Sequence, residues 1–109
     1  MSSKIKALEW LDKGERLCEI EMHEEAIECY SKAIKINSDD GRAWRYKGSA
    51  LEHLGNYNEA IKCYDEAIRL DLRNECAWYN KGIALGKLGK HDEAIKCYDR
   101  VLVLKPWEA

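Results

Sequence analysis

WRYKGSALEHLGNYNEAIKCY, residues 44–64, returns 34 residues later as WYNKGIALGKLGKHDEAIKCY, residues 78–98. A more divergent copy, WLDKGERLCEIEMHEEAIECY, precedes it at residues 10–30. Tiling at that period divides the chain into 7–40, 41–74 and 75–108, a single domain with six residues before it and one after. Nine of the 34 columns carry one residue in all three copies. They begin with the Trp10/Trp44/Trp78, Lys13/Lys47/Lys81, Gly14/Gly48/Gly82 and Leu17/Leu51/Leu85 columns. A Glu-Ala-Ile run at Glu25, Glu59 and Glu93 supplies three more, and the Cys-Tyr pairs ending at Tyr30, Tyr64 and Tyr98 complete them. A fixed period of this length marks stacked supersecondary units, each leaning on its neighbours.

The rest of the composition narrows the class. With 109 residues, 46% hydrophobic and 35% charged, the chain is one surface-rich folded domain. Eighteen basic residues against 20 acidic ones leave a formal charge of −2. That balance provides no long-range field for nucleic acid or anionic membrane, so neither is expected as a partner. No apolar run approaches the ~20 residues of a membrane span. The opening MSSKIK lacks the apolar core of a secretory signal, and a cytoplasmic location is the default expectation. Three of the five cysteines share one column. Equivalent helices stacked about 8–10 Å apart hold such thiols too far apart to bridge. Cys29, Cys63 and Cys97 are therefore expected as reduced, small apolar side chains.

Each period reads as two helices. Apolar residues at helical spacing cover 5–20, with Ser2 or Ser3 available to cap the start. Gly55 and Gly89 close the first helices of the second and third units; Glu21 stands in that column of the first, predicting a less favourable turn. Asn56, Asp40 and Asn74 are expected N-caps. Second helices are predicted over 23–36, 57–70 and 91–104, with Ala26, Tyr30 and Ala33 and their counterparts facing the first helix. Glycine in mid-helix costs about 0.5–1 kcal/mol relative to alanine, so Gly14, Gly48 and Gly82 imply a neighbour too close for a β-carbon. Each tryptophan is expected to be structural and buried.

These residues resemble the tetratricopeptide repeat family, whose pattern is carried here by Trp44, Gly48, Leu51, Tyr57, Ala60, Tyr64 and Ala67 and their counterparts. The resemblance covers 7–108 and departs from the family at Lys13, Lys47 and Lys81, where leucine is usual. The inter-repeat proline remains only as Pro106. The resemblance implies an all-α, right-handed α-solenoid of three helix-turn-helix units, six antiparallel helices without a complete C-terminal cap helix. It also implies a non-catalytic adaptor or scaffold that binds a protein or peptide segment in a concave groove lined by the first helices.

Carried onto this chain, the groove columns are Leu8, Leu11, Asp12, Glu15, Cys18 and Glu19, then Arg42, Arg45, Tyr46, Ser49, Glu52 and His53. The third unit offers Cys76, Tyr79, Asn80, Ile83, Gly86 and Lys87. Arg42, Arg45, Tyr46, Ser49, Tyr79, Asn80, Ile83 and Lys87 are the expected binding residues, with an acidic group of the ligand near Arg42 or Arg45. Some family members clamp a C-terminal carboxylate with Lys, Asn and Arg; the matching positions here are Leu11, Glu15, Tyr46, Cys76 and Asn80. None is cationic, so that clamp is not expected. No HExxH, GxSxG or phosphate loop is present, and no catalytic residue, metal or cofactor is assigned. His23 and His91 share the column of Tyr57 and read as packing residues. An RNA reader of similar period is disfavoured by the charge balance and the Trp and Tyr columns.

A second expectation belongs to another class. Solenoid ends need polar caps, and the last stretch is more apolar than its counterparts at Val103, Leu104 and Trp107. Self-association there, as a stacked or exchanged homodimer, is the alternative to groove binding.

Overall fold

A computed structural model describes residues 3–105. Six helices succeed one another: α1 (Ser3–Glu19), α2 (His23–Ile36), α3 (Gly41–His53), α4 (Tyr57–Leu70), α5 (Glu75–Lys87) and α6 (His91–Leu104). No strand occurs among the described residues. Sequential helices pack on one another as three hairpins stacked into an elongated body of 41 × 28 × 21 Å. The expected helical solenoid of three units is what forms.

Local chemistry explains where the helices start and stop. The Asp40 carboxylate accepts the Arg42 backbone N–H at 2.9 Å, and the Asn74 side chain accepts the Ala77 N–H at 3.0 Å, capping α3 and α5. Asn56 stands at the N-cap of α4, but its side chain makes no capping bond; the expected cap is positional only. Ser3 opens α1, while Ser2 lies outside the described residues. α3 ends with Asn56 N–H donating to Leu51 C=O and Gly55 N–H to Glu52 C=O, a Schellman turn that requires a left-handed residue. Gly55 supplies it at φ 81°. Glu21 occupies the same place in the first hairpin at φ 63°, with Met22 N–H reaching Leu17 C=O. The less favourable turn expected there therefore keeps the same geometry, imposed on a residue with a side chain.

Inside each hairpin the identical columns meet. Ala26, Tyr30 and Ala33 are buried on α2, as are Ala60, Tyr64 and Ala67 on α4. A β-carbon added to Gly48 would lie 2.6 Å from the ring of Tyr64, and one at Gly82 would lie 2.5 Å from Tyr98. The predicted close neighbour is thus an aromatic ring, not a helix backbone. Between hairpins the seal is made by small residues: Ala43 and Ala50 of α3, and Ala77 and Ala84 of α5, are at most 1% exposed. Cys29, Cys63 and Cys97 are buried free thiols, packed as the apolar side chains expected.

The tryptophans depart from expectation. Trp10, Trp44 and Trp78 are only half-buried, lying at the outer edge of the hairpins. Trp44 and Trp78 each donate an indole N–H at 3.0 Å to a loop carbonyl, of Ser38 and Leu72 respectively. Cations lie over the rings of Trp10 and Trp78. Lys32 lies 4.4 Å and Lys13 5.3 Å from the Trp10 ring centre, and Lys81 lies 5.8 Å from that of Trp78. This is where two of the lysines that replace the family's leucine, Lys13 and Lys81, go: each places its ammonium group over an indole face. Lys81 also reaches Asp65 at 2.6 Å, tying one hairpin to the next.

Candidate functional site

The inner face of the stack carries two adjoining recesses, one at each junction between hairpins. The first, of about 280 Å³, lies where α1 meets α3; Glu15 and Cys18 of α1 and Tyr46, Ser49 and His53 of α3 line it. His23 and Tyr30 of α2 complete it. The second, of about 330 Å³, repeats the arrangement one hairpin on, with Ser49, Glu52 and His53 of α3 facing Asn80, Ile83 and Lys87 of α5. Tyr57 of α4 takes the place of His23. Ser49 and His53 are shared by both recesses, because a helix in mid-stack shows one flank to each neighbour.

The two recesses have the same frame and different chemistry. In the first, the His23 and His53 rings stack at 4.7 Å and 14°, and Tyr30 and Tyr46 meet at 5.9 Å. The Tyr30 hydroxyl donates to the Cys18 sulfur at 3.5 Å, a weak bond. Burial, followed by that bond, pushes the Tyr30 hydroxyl pKa well above its ordinary value. His53 Nδ1 lies 2.8 Å from the carbonyl of Ser49. A carbonyl only accepts, so Nδ1 carries the hydrogen in this contact. In the second recess, the Tyr64 hydroxyl donates to Glu52 at 2.7 Å, a short charge-assisted bond that anchors the carboxylate.

The expected binding residues separate into two groups. Tyr46, Ser49, Asn80, Ile83 and Lys87 line the recesses. Arg42, Arg45 and Tyr79 do not. Arg42 turns back on its own cap, meeting Asp40 at 2.8 and 3.1 Å, and holds that carboxyl below its usual range. Arg45 lies over the Tyr46 ring at 4.8 Å. Tyr79 is 51% exposed, with its ring 5.9 Å from Tyr98. Leu11, assigned to the groove by resemblance, is buried in the core, and Asp12 is paired with Arg16 at 2.9 Å. His23, Tyr30 and Tyr57 line the recesses although the groove columns do not include them, since they come from second helices. For His23 and Tyr57, their shared column beside the tight turn is the available signal. At the other expected surface, Val103 is 62% exposed and Leu104 half-buried, while Trp107 lies outside the described residues.

Among the described residues no group of three or more His, Cys, Asp or Glu is arranged to hold a metal ion, and no helix is long and apolar enough to cross a membrane.

Comparison with known proteins places this geometry. Sequence profiles described as TPR repeat match residues 14–55 and 48–89, and one described as tetratricopeptide repeat matches 76–107. No curated protein sequence is significantly similar to the chain. Among solved structures, the second TPR of Spaghetti (RPAP3), bound to the HSP90 peptide SRMEEVD, is 31% identical with a TM-score of 0.89, over 93% of this chain and 94% of that one. The first TPR of the same protein, bound to the same peptide, is 30% identical with a TM-score of 0.93, over 95% of this chain and 82% of that one. The Arabidopsis OM64 TPR domain shares the fold at 23% identity and a TM-score of 0.94, over 96% of this chain and 87% of that one. With the profiles spanning nearly all three hairpins, the chain belongs to the tetratricopeptide repeat family.

Proposed function

We propose that the chain is a non-catalytic interaction module that binds a peptide or partner segment across the two inner recesses. One observation carries this reading. Nine columns are identical in the three units, whereas the first-helix columns that line the recesses, Glu15/Ser49/Ile83 and Cys18/Glu52 among them, change from one unit to the next. Such a surface suits successive side chains of one extended ligand, each meeting different chemistry. The Spaghetti domains, each bound to a peptide, support it. Ile83 supplies the apolar anchor, with Asn80 and Lys87 beside it. An acidic group of the ligand, expected from sequence near Arg42 or Arg45, belongs instead near Lys87.

Random-peptide display against the chain tests this. Enriched peptides are expected to shift the backbone amide signals of Ser49, His53 and Asn80 and to lose affinity on Ile83→Glu, while Lys62→Glu on α4 leaves binding intact. Peptides that perturb the tryptophan side instead overturn the reading. SRMEEVD itself is expected to bind weakly, because no cation stands at Leu11, Glu15, Tyr46, Cys76 or Asn80.

A specific observation also favours self-association through α6. Ile95, Leu102 and Val103 are exposed there, whereas Ile61 and Ile68, which match the first two, pack against the next hairpin. Stacking head to tail is disfavoured, because α1 carries Glu9 and Arg16 where α3 and α5 seal with alanines. An isologous pairing of two α6 faces is the form this second reading takes. A light-scattering mass that stays at 12.6 kDa across a concentration series would exclude it.

A further inference from the structure

Resting on the groove reading, we propose that the first recess receives a lysine or arginine side chain of the bound peptide, with Glu15 as its counter-charge. The Spaghetti domains hold an acidic peptide; this recess is built for the opposite sign.

The inventory of lining groups decides the polarity. Glu15 is the one formal charge there, and among the described residues its carboxylate makes no ion pair. The neighbouring cation that could have neutralised it, Arg42, is held by Asp40 at 2.8 Å. Ser49 adds a hydroxyl that can accept, and the Nδ1 hydrogen of His53 is committed to the Ser49 carbonyl and does not face the recess as a free donor. The recess is thus rich in acceptors. An ammonium or guanidinium brings only donors; an incoming carboxylate would meet Glu15, while the Arg45 guanidinium beside the wall lies over the Tyr46 ring.

Shape points the same way. The recess walls are rings, Tyr30 and Tyr46 in one pair and His23 and His53 in the other. Tyrosine faces attract cations through their quadrupole, and Tyr46 already does so with Arg45 at 4.8 Å. The aliphatic stem of a long basic side chain would lie along such ring surfaces while its head turns to the carboxylate. The second recess differs at the decisive position: Ser49 stands where Glu15 does, Ile83 where Ser49 does, and Lys87 where His53 does. A ligand spanning both is therefore polar in a fixed sense, basic toward α1 and apolar or acidic toward α5.

The test is random-peptide display on the full chain and on its Glu15→Lys variant, followed by fluorescence anisotropy with the resynthesised peptide. Glu15 is exposed, so Glu15→Lys and Glu15→Gln are both expected to fold. The wild type should enrich Lys or Arg at one position, and Glu15→Lys should replace it with Asp or Glu. The resynthesised peptide should bind Glu15→Gln about tenfold more weakly, as expected for a lost charged hydrogen bond. Replacing its basic residue by norleucine should cost a similar factor against the wild type and little against Glu15→Gln. Enrichment of acidic or neutral residues alone, or affinity unchanged by Glu15→Gln, overturns the assignment while leaving the groove reading standing. Enrichment of no peptide, or binding indifferent to Ile83→Glu, overturns the groove reading as well.

Discussion

The middle of the stack and its far end are built from the same residues and held to different degrees. Tyr64 is wholly buried between α3 and α4, under cover of α5, and its hydroxyl is fixed on Glu52. Tyr98 occupies the same column over Gly82 yet is half-exposed, because no described helix lies beyond α6. Ile68 and Leu102 repeat the contrast, at 7% and 62% exposure. A repeat's sequence therefore sets its hairpin, whereas its rigidity comes from what is stacked against it. In a quasi-linear array that neighbour term is a large part of the stability.

The strongest way to break the comparison is truncation of the two tyrosines. Tyr64→Ala is expected to destabilise the chain by about 3–5 kcal/mol, as for large buried aromatics, and Tyr98→Ala by roughly half that. Equal losses in urea melts would mean that the neighbouring hairpin contributes little. Alkaline unfolding comes next. Burial pushes the Cys63 thiol up to about 11 from an ordinary 9.0. The unfolded chain then releases that proton before the native one, so the contribution is intact below pH 9 and lost as pH climbs to 11. Two units correspond to about 2–3 kcal/mol. Burial pushes the Tyr64 hydroxyl pKa up as well, extending the loss above its ordinary value of 10.0. Cys63→Ala should flatten the fall in stability between pH 9 and 11. Cys97→Ala, at the looser end, should flatten it less.

A smaller effect sharpens the contrast. Gly48→Ala drives a β-carbon into a ring with nowhere to go and should cost about 1–2 kcal/mol net of alanine's helical advantage. Gly82→Ala makes the same clash with Tyr98, which has room to swing outward, so its thermal midpoint should stay near that of the parent. Equal destabilisation by both would show that Tyr98 is as confined as Tyr64.

Much of this architecture is legible because its signal is repetition. Nine invariant columns at a period of 34 place the helices, the close approach at the mid-helix glycines and the buried thiols without reference to any partner, though not that the close neighbour is a tyrosine ring. The recesses are less legible, since their walls combine first helices with residues of second helices, and no periodicity reports which residues of neighbouring units converge. His23 reads as a packing residue in sequence; only the stack reveals that its ring faces His53, thirty residues on. Arg42 misleads for a different reason. Its pairing with Asp40 two residues earlier satisfies a helix start, which a count of cations along the groove ignores. The tryptophans mislead by size alone: a large indole in an invariant column suggests a centre, yet lysines and loop carbonyls hold it at the edge.

Glu21 bears on motion. A residue with a β-carbon held at φ 63° gives up about 1 kcal/mol that Gly55 and Gly89 do not. Glu21→Gly should return about that much in a urea melt, a smaller change than any of the substitutions above in the middle of the stack. In the parent chain the α1–α2 turn is the natural place for opening to begin, and native-state hydrogen exchange should find its amides the least protected of the three turns. Cys18 and His23, which flank that turn, belong to the first recess. A ligand seated there would brace that turn, so that slowed exchange at the first turn, and not at the other two, becomes a signature of occupancy.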